Sequence, residues 1–550
     1  VSRFALAPGW WRRRTGYQVW PRSFCDFDGD GIGDLPGIVS KLDHLADLGV
    51  GFIWLSPVYD SPMADMGYDI SDYRAIWPPF GTMADMDRLI GEAAVRDMGV
   101  VMDLVVNHTS DRHPWFLEAR TDRTAPRRDW YVWRDPAPDG GPPDDRQSYF
   151  GGPGWRLAPE TGQYYLALFT PAQPDLNWEC AAMRAAVWDM MRWWLDRGVA
   201  GFRMDVIDHI GKDVDAGLIE NGPRLHDHLR EMHREVLAGR NVLTVGEAWS
   251  AEPADAVPYT GRDRGELDML FQFRHVTEGW DPVQGKWRPR PHDPAALRRV
   301  LYSWQRATAE DGWTALFLGN HDLPRMVSRY GDPVAHRVRS AKALTLALHG
   351  LRGTPFVYQG DEFGMVNGRF DRIEEFRDVE TLTHHRLAME AGMAEAEFIA
   401  GANTNGRDTG RTPVQWTDGP GAGFTNGTPW IGLTPANAHI SAEADAADAN
   451  GLIAFHRRLI VLRRDMAILT DGRFAAHAED HTSVWIYERR LGGERLLIAA
   501  NLTGTEAQLD MPPDATIAGR PLLWTVAPRD RLEGTVTLAP WEAVAIHALD

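Results

Sequence analysis

Eight stretches of the chain are apolar almost from end to end and then stop abruptly: GYQVWPRSF (16–24), GFIWLSPVY (51–59), VVMDLVVNH (100–108), GFRMDVI (201–207), NVLTVGE (241–247), LDMLFQF (267–273), TALFLGN (314–320) and TPFVYQG (354–360). Runs like these, lacking the polar alternation of a half-exposed strand, predict strands covered on both faces, as in a parallel sheet. Between them lie segments of helical period. WDMMRWWLDRG (188–198), for example, is spaced to pack one face on a sheet. That is the pace of βα units, and eight strands close a cylinder, so the predicted fold class is α/β, a (β/α)8 TIM barrel.

The alternation fails in two places. Residues 109–178 are rich in Pro, Gly, Asp and Trp, as in RDPAPDGGPPDDRQSYFGGPGW. A structureless loop of that length is uncommon inside a compact barrel, so a small domain inserted after the third strand is expected. From residue 471 onward SVWIYERR, ERLLIAANL and GTVTLAPWEAVAIHAL read as short strands separated by turns, which predicts a C-terminal antiparallel β-sandwich. The expected division is a barrel over 1–108 and 179–470, the insertion over 109–178, and the sandwich over 471–550.

Chemistry enters where three of the apolar runs end. GFRMDV (201–206), TVGEAW (244–249) and FLGNHD (317–322) each place one carboxylate at the point where a strand gives out: Asp205, Glu247 and Asp322. In a (β/α)8 barrel the C-terminal ends of the strands face the substrate. Three anions in one mouth repel one another, so one should hold its proton near neutral pH, the condition for a general acid beside a nucleophile. That pattern belongs to glycosidic bond chemistry. Arg203 stands two residues before Asp205, hence on the same strand face, and its fixed charge is expected to keep Asp205 ionised.

Composition narrows the partners. The chain has 550 residues, 44% of them hydrophobic, and 58 Lys+Arg against 77 Asp+Glu give a net charge of -19. This balance disfavours nucleic acid and suits a neutral small molecule. Cys25 and Cys180 are the two cysteines, too far apart in sequence for a metal spacing, and are expected as buried thiols without a disulfide. No run reaches the roughly 18 apolar residues of a membrane span, so no membrane partner is expected. Arg12, Arg13 and Arg14 follow rather than precede FALAPGWW, the wrong polarity for a secretory leader. A cytoplasmic enzyme, monomeric or weakly homo-oligomeric, is the expectation.

Together with DLVVNH (103–108), QPDLNW (173–178), GYDISDY (67–73), RGTPFVYQGDE (352–362) and GRTPVQW (410–416), these segments resemble the alpha-amylase family of glycoside hydrolases, family thirteen. The resemblance runs in unbroken order from Tyr17 to Leu502 and is strongest to the oligo-1,6-glucosidase and dextran glucosidase branch. It implies Asp205 as catalytic nucleophile, Glu247 as general acid/base, and Asp322 as the carboxylate holding the sugar's 2- and 3-hydroxyls. It implies that His108 and His321 hydrogen-bond the first glucose, that Tyr68 is the platform beneath it, and that Asp65 with Arg407 clamps its 4-hydroxyl. Such a clamp closes the pocket beyond the non-reducing end, which means exo-action.

Val206 after the nucleophile resembles the 1,6-acting members, in which a branched side chain crowds a 1,4-linked leaving sugar. Trp249, Lys286 and Glu380 match positions that receive the leaving glucose, although Trp249 is equally readable as rim packing. The implied activity is a retaining α-glucosidase acting on α-1,6-linked glucosides through a covalent glucosyl-aspartate, without an organic cofactor. Trehalose-6-phosphate hydrolase, an α-1,4-acting or transglycosylating α-glucosidase, and a non-catalytic binding module of the same fold are the alternatives.

The loop DFDGDGIGD (26–34) puts Asp26, Asp28 and Asp30 at positions one, three and five of a calcium loop and Asp34 at nine, but Gly37 at twelve excludes an EF-hand. The resemblance implies one structural calcium held by Asp26, Asp28, Asp30, Asp34 and the carbonyl of Ile32. Magnesium in its place, or a solvated acidic turn, are the other readings. Ala200, Ala167 and Gly319 depart from the family pattern and bear on the outer subsites.

Overall fold

The computed structural model describes residues 4, 6–433 and 435–549. Each of the eight apolar runs overlaps one strand of a single parallel sheet: β1 (Gly16–Val19), β2 (Phe52–Leu55), β3 (Gly99–Leu104), β4 (Gly201–Met204), β5 (Leu243–Ala248), β6 (Met269–Gln272), β7 (Ala315–Leu316) and β8 (Thr354–Tyr358). Their order is β6-β5-β4-β3-β2-β1-β8-β7, and a parallel bridge between Leu270 and Thr314 joins the two ends into a closed barrel. Alternate side chains point inward, where Phe52, Trp54, Phe271, Phe317 and Phe356 fill the interior. Gly16 on β1 has no room for more than hydrogen, since a Cβ there would lie 2.6 Å from Phe52 and 2.9 Å from Phe356.

Several strands end earlier than the apolar runs suggest. PRSF turns into a 3-10 helix (Pro21–Ser23), because Pro21 lacks the N–H that a strand would use and has the backbone angle of a helix start. In TALFLGN the ladder covers Ala315–Leu316 alone, and the residues beyond it lead into the cavity mouth. Helix Ala181–Arg197 buries Val187, Trp188, Met191 and Trp194 against the barrel and stops at Gly198, whose φ of 113° is left-handed. After β3 the chain leaves the barrel and forms a three-stranded antiparallel sheet from Trp133–Arg134, Trp155–Ala158 and Gln163–Leu166.

The C-terminal part is a five-stranded antiparallel sheet in the order β9-β10-β11-β13-β12, built from β9 (Arg473–His477), β10 (Val484–Leu491), β11 (Glu494–Asn501), β12 (Arg520–Trp524) and β13 (Ala543–Leu549). Val484, Ile486, Leu497 and Ala499 face Leu509, Ile517, Leu532 and Leu538 of two short ladders. Their neighbours Trp485, Tyr487, Leu496 and Ile498 face the other way, onto Ala343, Leu344 and Ala347 of the barrel helix Arg337–His349. Both faces are therefore buried, which explains why β10 and β11 show continuous apolar runs instead of alternation. Cys25 is buried, but Cys180 corrects the expectation: it is half-buried, because it caps the start of helix Ala181–Arg197.

Candidate active site

The C-terminal ends of the barrel strands surround a cavity of ≈330 Å³. Asp205, one residue past β4, and Glu247, inside β5, both line it, as does Asp322 on the loop after β7. The centre of their arrangement is the fully buried guanidinium of Arg203. It reaches Asp205 Oδ1 at 2.7 Å and Asp103 Oδ1 at 2.8 Å through Nη1, and Glu247 Oε2 at 2.7 Å through Nη2. Asp103 stands directly beside Arg203 in the β3–β4 register, which is why the two meet.

Glu247 is further fixed by the Val206 N–H on Oε2 at 2.9 Å and by the Trp249 indole N–H on Oε1 at 3.1 Å. Trp249 is itself stacked on Phe273 with ring centres 3.8 Å apart. Val206 adopts φ 34° and ψ 49°, left-handed backbone that a β-branched residue rarely takes. The conformation aims its N–H at Glu247 and its side chain into the cavity.

The three carboxylates are electrostatically unequal. Burial pushes Glu247 up to about 8, against the pull of Arg203 and aided by Asp205 and Asp322. Burial also raises Asp205, to about 7, with Arg203 opposing and Asp103 reinforcing it. The expected effect of Arg203 on Asp205 is therefore present, but desolvation exceeds it. Asp322 goes the other way: burial would raise it, yet the His321 N–H at 3.2 Å and the charges of Arg407, Arg411 and Arg203 hold it well below the usual carboxylate range. Arg411 is 3.0 Å and Arg407 3.3 Å from Asp322 Oδ1. One carboxyl of the group thus keeps its proton above neutral pH while another stays anionic.

The predicted first-sugar residues gather on one side. Asp65 and Arg407 are 3.6 Å apart, and Gln173 donates to Asp65 at 3.0 Å. Tyr68 lies parallel to His321, ring centres 5.3 Å apart at 8°, and Trp20 stacks with that imidazole at 5.1 Å. Gln18 Nε2 lies 2.8 Å from His321 Nδ1, so the ring proton sits on Nε2, 2.6 Å from Tyr68 Oη and 3.2 Å from Asp322 Oδ2. Burial lowers His108 to about 4 and holds His321 well below its ordinary value, so both rings are neutral. Arg203 and His321 stand behind the cavity wall, whereas Asp65, Tyr68, His108, Val206, Trp249, Lys286, Glu380 and Arg407 line it. Glu380 is shared by Lys286 at 2.5 Å and Arg407 at 3.0 Å.

Sequence reasoning missed several members. Asp103, Gln173 and Arg411 lie inside motifs already singled out, DLVVNH, QPDLNW and GRTPVQW, Asp378 stands two residues before Glu380, and each is a polar residue at a strand end or in a loop that the fold buries. Tyr149, Phe150, Phe169, His209, Glu220, Thr277 and Trp280 also line the cavity, and no local pattern marks them.

On the loop after β1, Asp26, Asp28 and Asp34 offer one oxygen each within 4.8 Å of one another. That is the span of opposite ligands around an ion with bonds of roughly 2.4 Å, and all the donors are hard oxygens of the kind calcium and magnesium take. Asp26 accepts from the Gly29 and Gly31 N–H groups at 2.7 and 2.8 Å, which curls the loop. Asp30 stands outside this group, its Oδ1 accepting the Ile32 N–H at 2.7 Å.

A barrel mouth in which one arginine holds two raised carboxyls beside a third that stays anionic is the site of a glycosidase. Residues 18–472 match the family model described as alpha amylase, catalytic domain, and the chain belongs to the alpha-amylase family. It is a glycoside hydrolase. A palatinase of Erwinia rhapontici is 46% identical over 98% of this chain and 98% of its own. An oligo-1,6-glucosidase of Heyndrickxia coagulans is 46% identical, covering 92% and 94% respectively. Among solved structures, a trehalose-6-phosphate hydrolase of Bacillus licheniformis superposes with a TM-score of 0.95 at 41% identity, over 99% of this chain and 100% of that one.

Proposed function

We propose that the protein is an exo-acting, retaining α-glucosidase that releases glucose from the non-reducing end of α-1,6-linked glucosides. The observation that carries this reading is the shared guanidinium. Asp205 and Glu247 each sit 2.7 Å from Arg203. Both carboxyls therefore meet at one guanidinium, an arrangement compatible with the roughly 5–5.5 Å separation of retaining enzymes.

Asp205, ionised, attacks the anomeric carbon while Glu247 gives its proton to the departing oxygen. Glu247 then takes a proton from the water that frees the sugar. Asp322, anionic throughout, accepts the 2- and 3-hydroxyls, the neutral His108 lining the cavity is a hydrogen-bonding partner that adds no charge, and His321, behind the wall, holds Tyr68 and Asp322 in place. The Asp65–Arg407 pair closes the far end, so one glucose unit fits before the cleaved bond.

Linkage follows from Val206, whose side chain enters the cavity directly beyond the nucleophile. A 1,6 link has an extra rotatable CH2 to pass around it. Charge argues against a phosphorylated substrate. Asp65, Asp205, Glu220, Glu247, Asp322 and Glu380 line the cavity, and its two lining cations among the described residues, Lys286 and Arg407, are both engaged by Glu380. A dianion would meet repulsion there. We infer further that the Asp26, Asp28 and Asp34 loop holds a structural calcium or magnesium ion.

The test is turnover of isomaltose, palatinose, isomaltotriose, maltose and trehalose 6-phosphate by the parent and by Asp205→Ala. Isomaltose and palatinose should exceed maltose and trehalose 6-phosphate, and Asp205→Ala should lose several orders of magnitude on all. A parent that prefers maltose or the phosphate ends the 1,6 reading; substantial turnover by the variant ends the nucleophile assignment.

A further inference from the structure

Beyond the first-sugar pocket, one wall of the cavity carries polar groups with no part in the chemistry above. His209, Tyr149 and Glu220 form a connected set there. The buried Asp208 sits 2.8 Å from His209 Nδ1 and also accepts from the Ser250 hydroxyl at 2.6 Å. On the other side of the ring, His209 Nε2 lies 3.1 Å from Tyr149 Oη, and the Tyr149 hydroxyl donates to Glu220 Oε1 at 2.5 Å. The Tyr149 ring is wedged between Phe169 and His209, each with ring centres 5.4 Å away. A carboxylate held by a fixed phenol at a cavity wall is oriented before any ligand arrives.

The backbone shows which side of the cavity this is. The His209 N–H donates to Val206 O at 3.0 Å, and the Asn221 N–H to Asp208 O at 2.9 Å, so the segment bearing Glu220 is tied to the turn after the nucleophile. The Asn221 side chain reaches Ser250 Oγ at 2.9 Å, next to the Trp249 that holds Glu247. Glu220 therefore belongs to the Glu247 side, from which the leaving oxygen departs, and not to the closed Asp65–Arg407 end. Across the mouth, the Tyr149 carbonyl is 3.4 Å from His384 Nε2 on helix Val379–Glu390, the helix that carries Glu380. Tyr149 thus spans the rim between the two segments that bear Glu220 and Glu380. It engages Oε1 of Glu220, and among the described residues no donor is recorded at Oε2.

We propose that Glu220, oriented by Tyr149, is a specificity-determining residue that accepts hydroxyl groups of the sugar leaving beyond the cleaved bond. It selects neutral, hydroxyl-rich leaving groups. The inference rests on the α-glucosidase reading and assigns the outer wall that reading leaves open. An ionised carboxylate accepts from two adjacent sugar hydroxyls, which a hydroxyl-free leaving group cannot supply.

The experiment compares Glu220→Gln and Tyr149→Phe with the parent on isomaltose and on 4-nitrophenyl α-glucoside, whose leaving group has no hydroxyls to offer. On isomaltose, Glu220→Gln should raise KM by roughly 3- to 10-fold with a smaller change in kcat. The loss in kcat/KM should exceed that on the aryl glucoside at least about threefold. Tyr149→Phe should shift the same ratio in the same direction by less, and it retains the ring that packs the rim. Equal losses on the two substrates, or none on either for both variants, overturn the proposal. If the parent prefers another glucosyl disaccharide to isomaltose, the linkage reading fails by itself, and the same ratio measured on that disaccharide still decides the role of Glu220.

Discussion

At the residue scale the site is a contest between burial and charge, and Glu247 shows both sides of it. Arg203 at 2.7 Å favours its anion, yet removal from water prevails and raises it to about 8. Asp205, raised to about 7, must be ionised while Glu247 is protonated, so kcat/KM should rise through about pH 7 and fall through about pH 8. A chemistry-limited profile flat from pH 5 to 9 would contradict the pairing. The same shift is a cost to the fold. Between the ordinary glutamate range near 4.5 and about 8, folded Glu247 keeps a proton that the unfolded chain has released, so its contribution to stability declines as pH rises through that window. Glu247→Gln removes this dependence. Its melting temperature relative to the parent should therefore be higher at pH 8.5 than at pH 5, and an unchanged difference would mean that Glu247 titrates normally. Asp322, held low by its arginines, has the opposite sign and loses its stabilising effect only in acid.

At the scale of elements, the important groups sit in the last residues of a strand or where the strand gives way to something irregular. The turn after β4 is the sharpest case, because Val206 holds a left-handed backbone to deliver its N–H to Glu247. Val206→Ala or Val206→Thr should raise turnover of maltose relative to isomaltose several-fold, as the crowding side chain shrinks or becomes polar. An equal change on both sugars would mean that the residue serves Glu247 alone. The loop after β1 is a second case. Asp26, Asp28 and Asp34 converge, and the Asp26 N–H and Gly31 carbonyl bond to Phe424 and Trp430, so an ion there would fasten residues 424–430 as well. A chelator should lower the melting temperature by roughly a few degrees, and Asp26→Asn should blunt the effect. The eight strands and the three strand-end carboxylates were legible in the sequence because burial on both faces leaves an unbroken apolar signal and a charge ending such a run stands out. Asp103 was visible as a charge within VVMDLVVNH, but its meaning depends on the β3–β4 register that sets it beside Arg203. Tyr149, His209 and Glu220 were not legible, since they come from separate loops and meet through contacts between segments up to 71 residues apart.

At the scale of the whole molecule, the C-terminal sheet is built into the flank of the barrel. Arg298, on helix Pro294–Ala307, is fully buried and donates to the carbonyls of Val484, at 2.6 Å, and Glu479. Trp485 returns the contact by donating to Pro294 O at 2.9 Å, and the Tyr487 hydroxyl donates to Ala347 O at 2.7 Å. Arg298→Met keeps most of the volume but takes the guanidinium N–H groups away from the Val484 and Glu479 carbonyls, at about 1–3 kcal/mol. The melting temperature should fall by roughly several degrees while KM for isomaltose, set at the distant mouth, stays as it was. A variant with unaltered melting would mean that water replaces the guanidinium. Because the sheet is oily on both sides, a nick or premature stop near residue 471 would not release a tidy enzyme. It would bare a greasy slab along the outer helices, and the remnant would clump before it could turn over sugar.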